Sequence, residues 1–107
     1  MREIKFRAWH KNNKSMCYNV TTDLLDKDYL EFMQYIGLKD KNDKKIYEGD
    51  IVKHHRFNTI TKCIFNEKYI TFAFKSENEE YFYMDIDKGH LEVIGNIYEN
   101  PEKLKSN

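Results

Sequence analysis

One proline, four glycines and two cysteines are all that this 107-residue chain contains of the residue types that break, bend or cross-link a backbone. That scarcity leaves no linker and no low-complexity tract on which to divide the chain. Cys17 and Cys63 form no CxxC pair, so they read as small, partly buried thiols of a reducing compartment rather than as a disulfide framework. No apolar run approaches the ~20 residues of a membrane span. The opening MREIKFRAWHKNNK also lacks an apolar block followed by small residues, so a cytoplasmic protein without membrane contact is expected. An excess of either charge is missing too. Eighteen basic and eighteen acidic residues cancel, which removes the global field that would draw in nucleic acid or anionic lipid and leaves only a local patch to do so.

What the chain has is aromatic bulk. Eight tyrosines, seven phenylalanines and one tryptophan sit among 34% charged residues, a composition that pairs a bulky core with a solvated surface and argues against disorder. The length fits one domain. Glu3 to Trp9 alternates Ile4, Phe6 and Ala8 against Glu3, Lys5 and Arg7, the period of a half-buried strand. HKNNK (His10 to Lys14) supplies a reversal, and Ser15 to Val20 returns as the antiparallel partner, making a hairpin. Thr21 to Tyr29 reads as a loop, with a helical turn capped at Thr22 or Asp23 as the alternative. Tyr29 to Ile36 is again strand-like, with large residues on both sides.

The stretch from Gly37 to Val52, GLKDKNDKKIYEGDIV, reads as one turn between two strands followed by a tight re-entry. Gly37, Gly49 and Asp50 shape that backbone. Further strands are expected at Asp50 to Phe57, Thr61 to Asn66, Lys68 to Lys75, Tyr81 to Ile86 and Leu91 to Tyr98. The alternation places Ile70, Phe72 and Phe74 on the core face of the third of these, and Gly95 marks a bulge or close backbone approach in the last. Asn100 caps a short terminal helix begun by Pro101. Five short strands joined by close turns suit a small SH3-like barrel. The chain thus divides into an N-terminal extension with its hairpin (1–36), the barrel (37–98) and a helix with tail (99–107).

Three blocks, MREIKFRAWHKNNKSM at the start, MQYIGLKDKNDKKIYEGDIV in the middle and VIGNIYENPE near the end, resemble the YopX family of phage and prophage proteins. Where such proteins often carry Asn-Gly at the tip of the central turn, this chain has Asn42-Asp43. Aspartate accepts positive φ less readily than glycine, so a longer loop is expected here. The resemblance implies an SH3-like barrel with an N-terminal extension, a phage or prophage origin, self-association and a bacterial cytoplasmic location. It implies no established enzymatic activity and supplies no catalytic residue set, and no cofactor is expected.

The chemistry-bearing residues point the same way. His54 and His55 are adjacent and face opposite sides of a strand, so they do not share a metal, and no HxxxH or HxH spacing occurs. Cys17 and Cys63 have no histidine nearby in sequence, so a cysteine nucleophile would have to be assembled in space. Glu79-Glu80 and Asp85 with Asp87 read as solvated turns. Two binding surfaces are expected instead. For a partner protein or a second copy, the candidate contacts are Trp9, Tyr18, Phe32, Met33 and Tyr35. For nucleic acid, they are Lys53, Arg56, Lys62 and Lys75 along one barrel face. The protein contact is the favoured reading.

Overall fold

The computed structural model describes residues 3–77, 81–83 and 88–104, which are built almost wholly from antiparallel strands. β1 (Phe6–His10) and β2 (Ser15–Tyr18) form the N-terminal hairpin, in register from Arg7 opposite Tyr18 to His10 opposite Ser15. Lys14 closes the reversal with its amide on the His10 carbonyl, while the His10 Nδ1 accepts from the Asn13 amide. A single 3-10 turn at Thr22–Leu24 leads on to β3 (Leu30–Lys39), which runs straight across the boundary expected at Ile36. β3 pairs with β1 through Leu30 to Gln34 and then with β4 (Lys45–Tyr47), giving a four-stranded sheet ordered β2-β1-β3-β4.

The second sheet has five strands: β5 (Asp50–His54), β6 (Thr59–Asn66), β7 (Thr71–Ser76), β8 (Tyr81–Tyr83) and β9 (Leu91–Asn96). Its order is β8-β7-β6-β5-β9. The pairing puts Val52, Cys63, Phe74 and Leu91 on one face, where they pack with Ile36 and Ile46 of the first sheet into the core. The β3–β4 hairpin thereby lies over the five-stranded sheet. Its tip is stitched down by polar bonds: the Lys41 amide donates to the Leu91 carbonyl, and Asp40 Oδ2 accepts from the Val93 amide at 2.8 Å.

Several expectations need correction. The Gly37 to Val52 stretch is not one turn, because KIY forms β4 and buries Ile46 and Tyr47. The reversal is the loop Asp40 to Lys44, held by Asp40 Oδ1 on the amides of Asn42 and Lys44, and Asp43 itself takes φ 65°. Aspartate is among the few side chains that adopt this region. β1 is covered on both faces: Arg7, read as outward, is as buried as Ala8 and Trp9, because a carboxylate awaits it inside. Ile70, read as core, is 79% exposed at φ 52° in the turn before β7. The alternation is sound from Thr71 onward, but the strand starts later than the apolar pattern does. Finally, Pro101–Leu104 is one 3-10 turn rather than the expected terminal helix. Asn100 joins it through its backbone carbonyl, which accepts from Lys103, while its side chain accepts from Asn96. The end of the strand expected at Tyr81 to Ile86, the pair Glu79-Glu80, and Asp85 with Asp87 lie outside the described residues.

Candidate functional site

Glu48, Gly49 and Asp50 join the two sheets. The Glu48 amide donates to the Gln34 carbonyl and Glu48 Oε1 accepts from the Gln34 amide at 2.9 Å, which extends the β3–β4 pairing by one residue. Gly49 belongs to the other sheet: its amide donates to the Cys63 carbonyl, and its carbonyl accepts from the Ile97 amide, both at 2.9 Å. Its φ of 86° lies in the left-handed region, and a Cβ there would stand 3.1 Å from the Met33 Sδ. Asp50 then turns inward. Its Oδ1 meets Arg7 Nη2 at 2.8 Å and its Oδ2 accepts from the Tyr47 amide at 2.8 Å.

The Arg7–Asp50 pair is closed to water, with side chains 3% and 2% exposed. Arg7 also donates to the Glu48 carbonyl at 3.2 Å and lies over the Tyr47 ring, 4.8 Å from its centroid. Burial pushes the Asp50 carboxyl up from its ordinary value, against the opposing pull of Arg7 and the Tyr47 N–H. Burial likewise raises the Tyr47 hydroxyl. These groups form a polar joint: apart from Arg7 Nε, which has no acceptor among the described residues, they are bonded to one another and leave little free for chemistry.

Beside the joint opens a cleft of about 570 Å³ between the sheets, a size in the range of ligand sites. Phe32, Met33 and Gln34 of β3 line one wall, Lys62 to Phe65 of β6 with Glu67 and Phe72 line the other, and Glu48, Gly49, Ile97 and Tyr98 close the end. The walls are strand edges. Backbone groups of Gln34 turn toward Glu48, away from β1, so by alternation those of Phe32 face the same way, past the end of β4. On β6 the Cys63 carbonyl points to Gly49, and the amide and carbonyl of Phe65 follow it, past the start of β5. Neither Phe32 nor Phe65 has a backbone partner on that side among the described residues. The two glutamates outnumber the one lysine. Phe65 is 41% exposed and meets Phe72 edge-on at 5.3 Å.

Cys63 lies at the base of this cleft but is almost fully buried, and desolvation, reinforced by Asp50 and Glu48, pushes its thiol well above the ordinary value. It is a protonated packing group at neutral pH, the opposite of an activated nucleophile. Elsewhere, His54 is buried against the Phe57 ring and His55 Nε2 meets Glu92 Oε1 at 2.7 Å. Among the described residues no three His, Cys, Asp or Glu side chains converge to hold a metal.

The residues expected at a protein contact are dispersed. Trp9 is buried and stacked on Tyr98, with ring centroids 5.3 Å apart, while Met33 and Tyr35 are also buried, so their surface is used within the chain. Tyr18 is half exposed on the outer strand β2, and only Phe32 and Met33 reach the cleft. Of the expected nucleic-acid contacts, Lys62 and Lys75 stand directly opposite each other and share a sheet face with Lys53. Lys53 in turn faces Glu92, and Arg56 lies apart in the β5–β6 turn. Gly37 has φ 93° where the β3–β4 register shifts. Gly95 sits at the shift between β5 and β9, where a Cβ would fall 2.6 Å from Asn100 Oδ1. Glu48, Glu67 and Phe65 do not stand out in the sequence. Nothing local marks them, because the cleft forms only when edges of two sheets meet.

Among solved structures, the crystal structure of protein EF1440 from Enterococcus faecalis is similar over 98% of this chain and all of that one, with a TM-score of 0.69 and 24% identity. At that identity the likeness shows the fold. No curated protein matches the chain. The profile of the family described as YopX protein matches residues 21–105, which takes in the central and closing blocks and leaves the opening block outside. The chain belongs to the YopX family.

Proposed function

We propose that this chain is a non-enzymatic accessory protein of phage or prophage origin that binds a partner protein in the bacterial cytoplasm, with the inter-sheet cleft as the contact. The observation that carries this reading is the cleft itself: a rigid end fixed by Glu48 and Gly49, aromatic walls from Phe32, Phe65 and Phe72, and charged groups at Glu48, Lys62 and Glu67. Its thiol, Cys63, is held protonated, which favours binding over group transfer through a cysteine. In this reading the curled five-stranded sheet under the β3–β4 hairpin is an SH3-like barrel, and self-association uses the outer edge of β2 beside Tyr18.

A photocrosslinking phenylalanine in place of Phe65, in the tagged protein expressed in its bacterial host, tests the contact. The expected result is a protein adduct that survives nuclease and that the same group at exposed Phe57 does not give. Equal adducts at both positions, or none, would refute it. A second reading, nucleic-acid binding, draws on the shared face of Lys53, Lys62 and Lys75. It requires DNA or RNA affinity that falls steeply with salt and with Lys62→Glu.

A further inference from the structure

The backbone of the cleft specifies its occupant more closely than its side chains do. Phe32 on one wall and Phe65 on the other each turn an amide and a carbonyl toward the space, beyond the points where β4 and β5 end. A strand edge of this kind is complemented by a chain that presents its own N–H and C=O groups at the same spacing. Glu48 already shows this chemistry from within, since its amide and Oε1 together complete Gln34, one pairing step before Phe32. The cleft continues that ladder. Its side-chain lining adds polarity: Phe32, Phe65 and Phe72 are apolar, and Glu48 and Glu67 outweigh Lys62.

We infer that the cleft takes an extended segment of a partner protein as an added β-strand, with an apolar side chain set among the phenylalanines and a basic one beside Glu48 and Glu67. This rests on the partner-binding reading above. Main-chain bonds to Phe32 on one side and Phe65 on the other supply affinity, and the alternate side chains supply selectivity. The joint at Glu48–Asp50 keeps the walls in place before binding, so little ordering is required of the protein.

The test pans the whole protein against a phage-displayed library of random linear nonapeptides and then follows amide exchange with the enriched peptide. Expected are peptides with lysine or arginine next to an aliphatic or aromatic residue, and exchange at the Phe32 and Phe65 amides slowed about tenfold at saturation. N-methylating alternate amides of the peptide, or the exposed substitution Glu67→Lys, should each weaken binding about tenfold. Phe65→Pro removes both the cleft-facing donor and the ring against Phe72, whereas Phe65→Ala removes the ring alone, so proline should abolish binding and alanine only weaken it, each with the circular dichroism spectrum unchanged. Enrichment of no peptide, unchanged exchange at either amide, or indifference to N-methylation would overturn the inference. Protection that grows with protein concentration alone would also overturn it, by placing a second copy in the cleft. If crosslinking at Phe65 succeeds while these measures fail, partner binding stands and strand addition falls; if both fail, both fall.

Discussion

Replacing Asp50 by asparagine tests the joint most directly. The amide side chain would keep the shape and an oxygen for the Tyr47 N–H, but it strips the counter-charge from a guanidinium whose side chain is 3% exposed. Arg7 is already short of partners, since its Nε has no acceptor among the described residues. Leaving a buried charge unpaired costs about 3–5 kcal/mol, against a total stability of about 5–15 kcal/mol for a domain. Asp50→Ala should be worse by about 1–3 kcal/mol, because it also orphans the Tyr47 N–H. The pair itself contributes far less than its disruption costs. Arg7→Met combined with Asp50→Asn removes both charges, keeps an acceptor for Tyr47 and fills the space of the arginine stem, so it should recover to within about 1–2 kcal/mol of the parent. Urea unfolding followed by the fluorescence of Trp9, the single tryptophan, stacked on Tyr98, reads each value. A cost below about 1 kcal/mol for Asp50→Asn, or a double variant that loses the sum of both singles, would refute the argument.

Stability should decline in alkali. The folded Cys63 thiol holds its proton well above 9.0, through burial first and Asp50 second. Its contribution is therefore intact below pH 9.0 and is lost as pH rises beyond that, where the unfolded thiol ionises and the folded one does not. Tyr47 and Tyr98, raised by burial from 10.0, extend the decline upward. Urea midpoints between pH 8 and 10 should fall less steeply in Cys63→Ala than in the parent; equal slopes would exclude the thiol as the cause. Trp9→Ala removes a buried ring and should cost about 3–5 kcal/mol, with loss of the circular dichroism signal on mild denaturation. A folded variant with lowered oligomer mass in light scattering would instead make Trp9 an intermolecular contact. Gly49→Ala forces a side chain to φ 86° and should cost about 1–3 kcal/mol in the same urea assay; unchanged stability would show that the backbone relaxes.

β6 followed from the turn before it and its β-forming residues, while period-2 alternation located β1 and β7, because each has a face that must be apolar regardless of what lies opposite. It misplaced Arg7, since the pattern records polarity and the buried partner, Asp50, lies far away in sequence. It passed over β4, where a three-residue strand is too short to show a period, although Ile46 is fully buried. Continuing the alternation past the true start of β7 places Ile70 in the core, where the structure does not have it. Gly37, Gly49, Asp50 and Gly95 stood out locally, whereas Glu48 gains its position only from the bonds it makes to Gln34. The cleft depends on where β4 and β5 end relative to β3 and β6, and those lengths are set by pairing rather than by composition.

The Arg7–Asp50 joint also bears on how the chain is made. Arg7 bonds to a carbonyl 41 positions further along, so the N-terminal hairpin is synthesised before the residues that enclose it. During that interval its guanidinium stays hydrated and β1 has only β2 as a neighbour. A lone two-stranded ribbon is marginal in water. The N-terminal segment therefore waits unfolded for the Glu48–Asp50 tripeptide, and the first half of the protein matures on the schedule of the second.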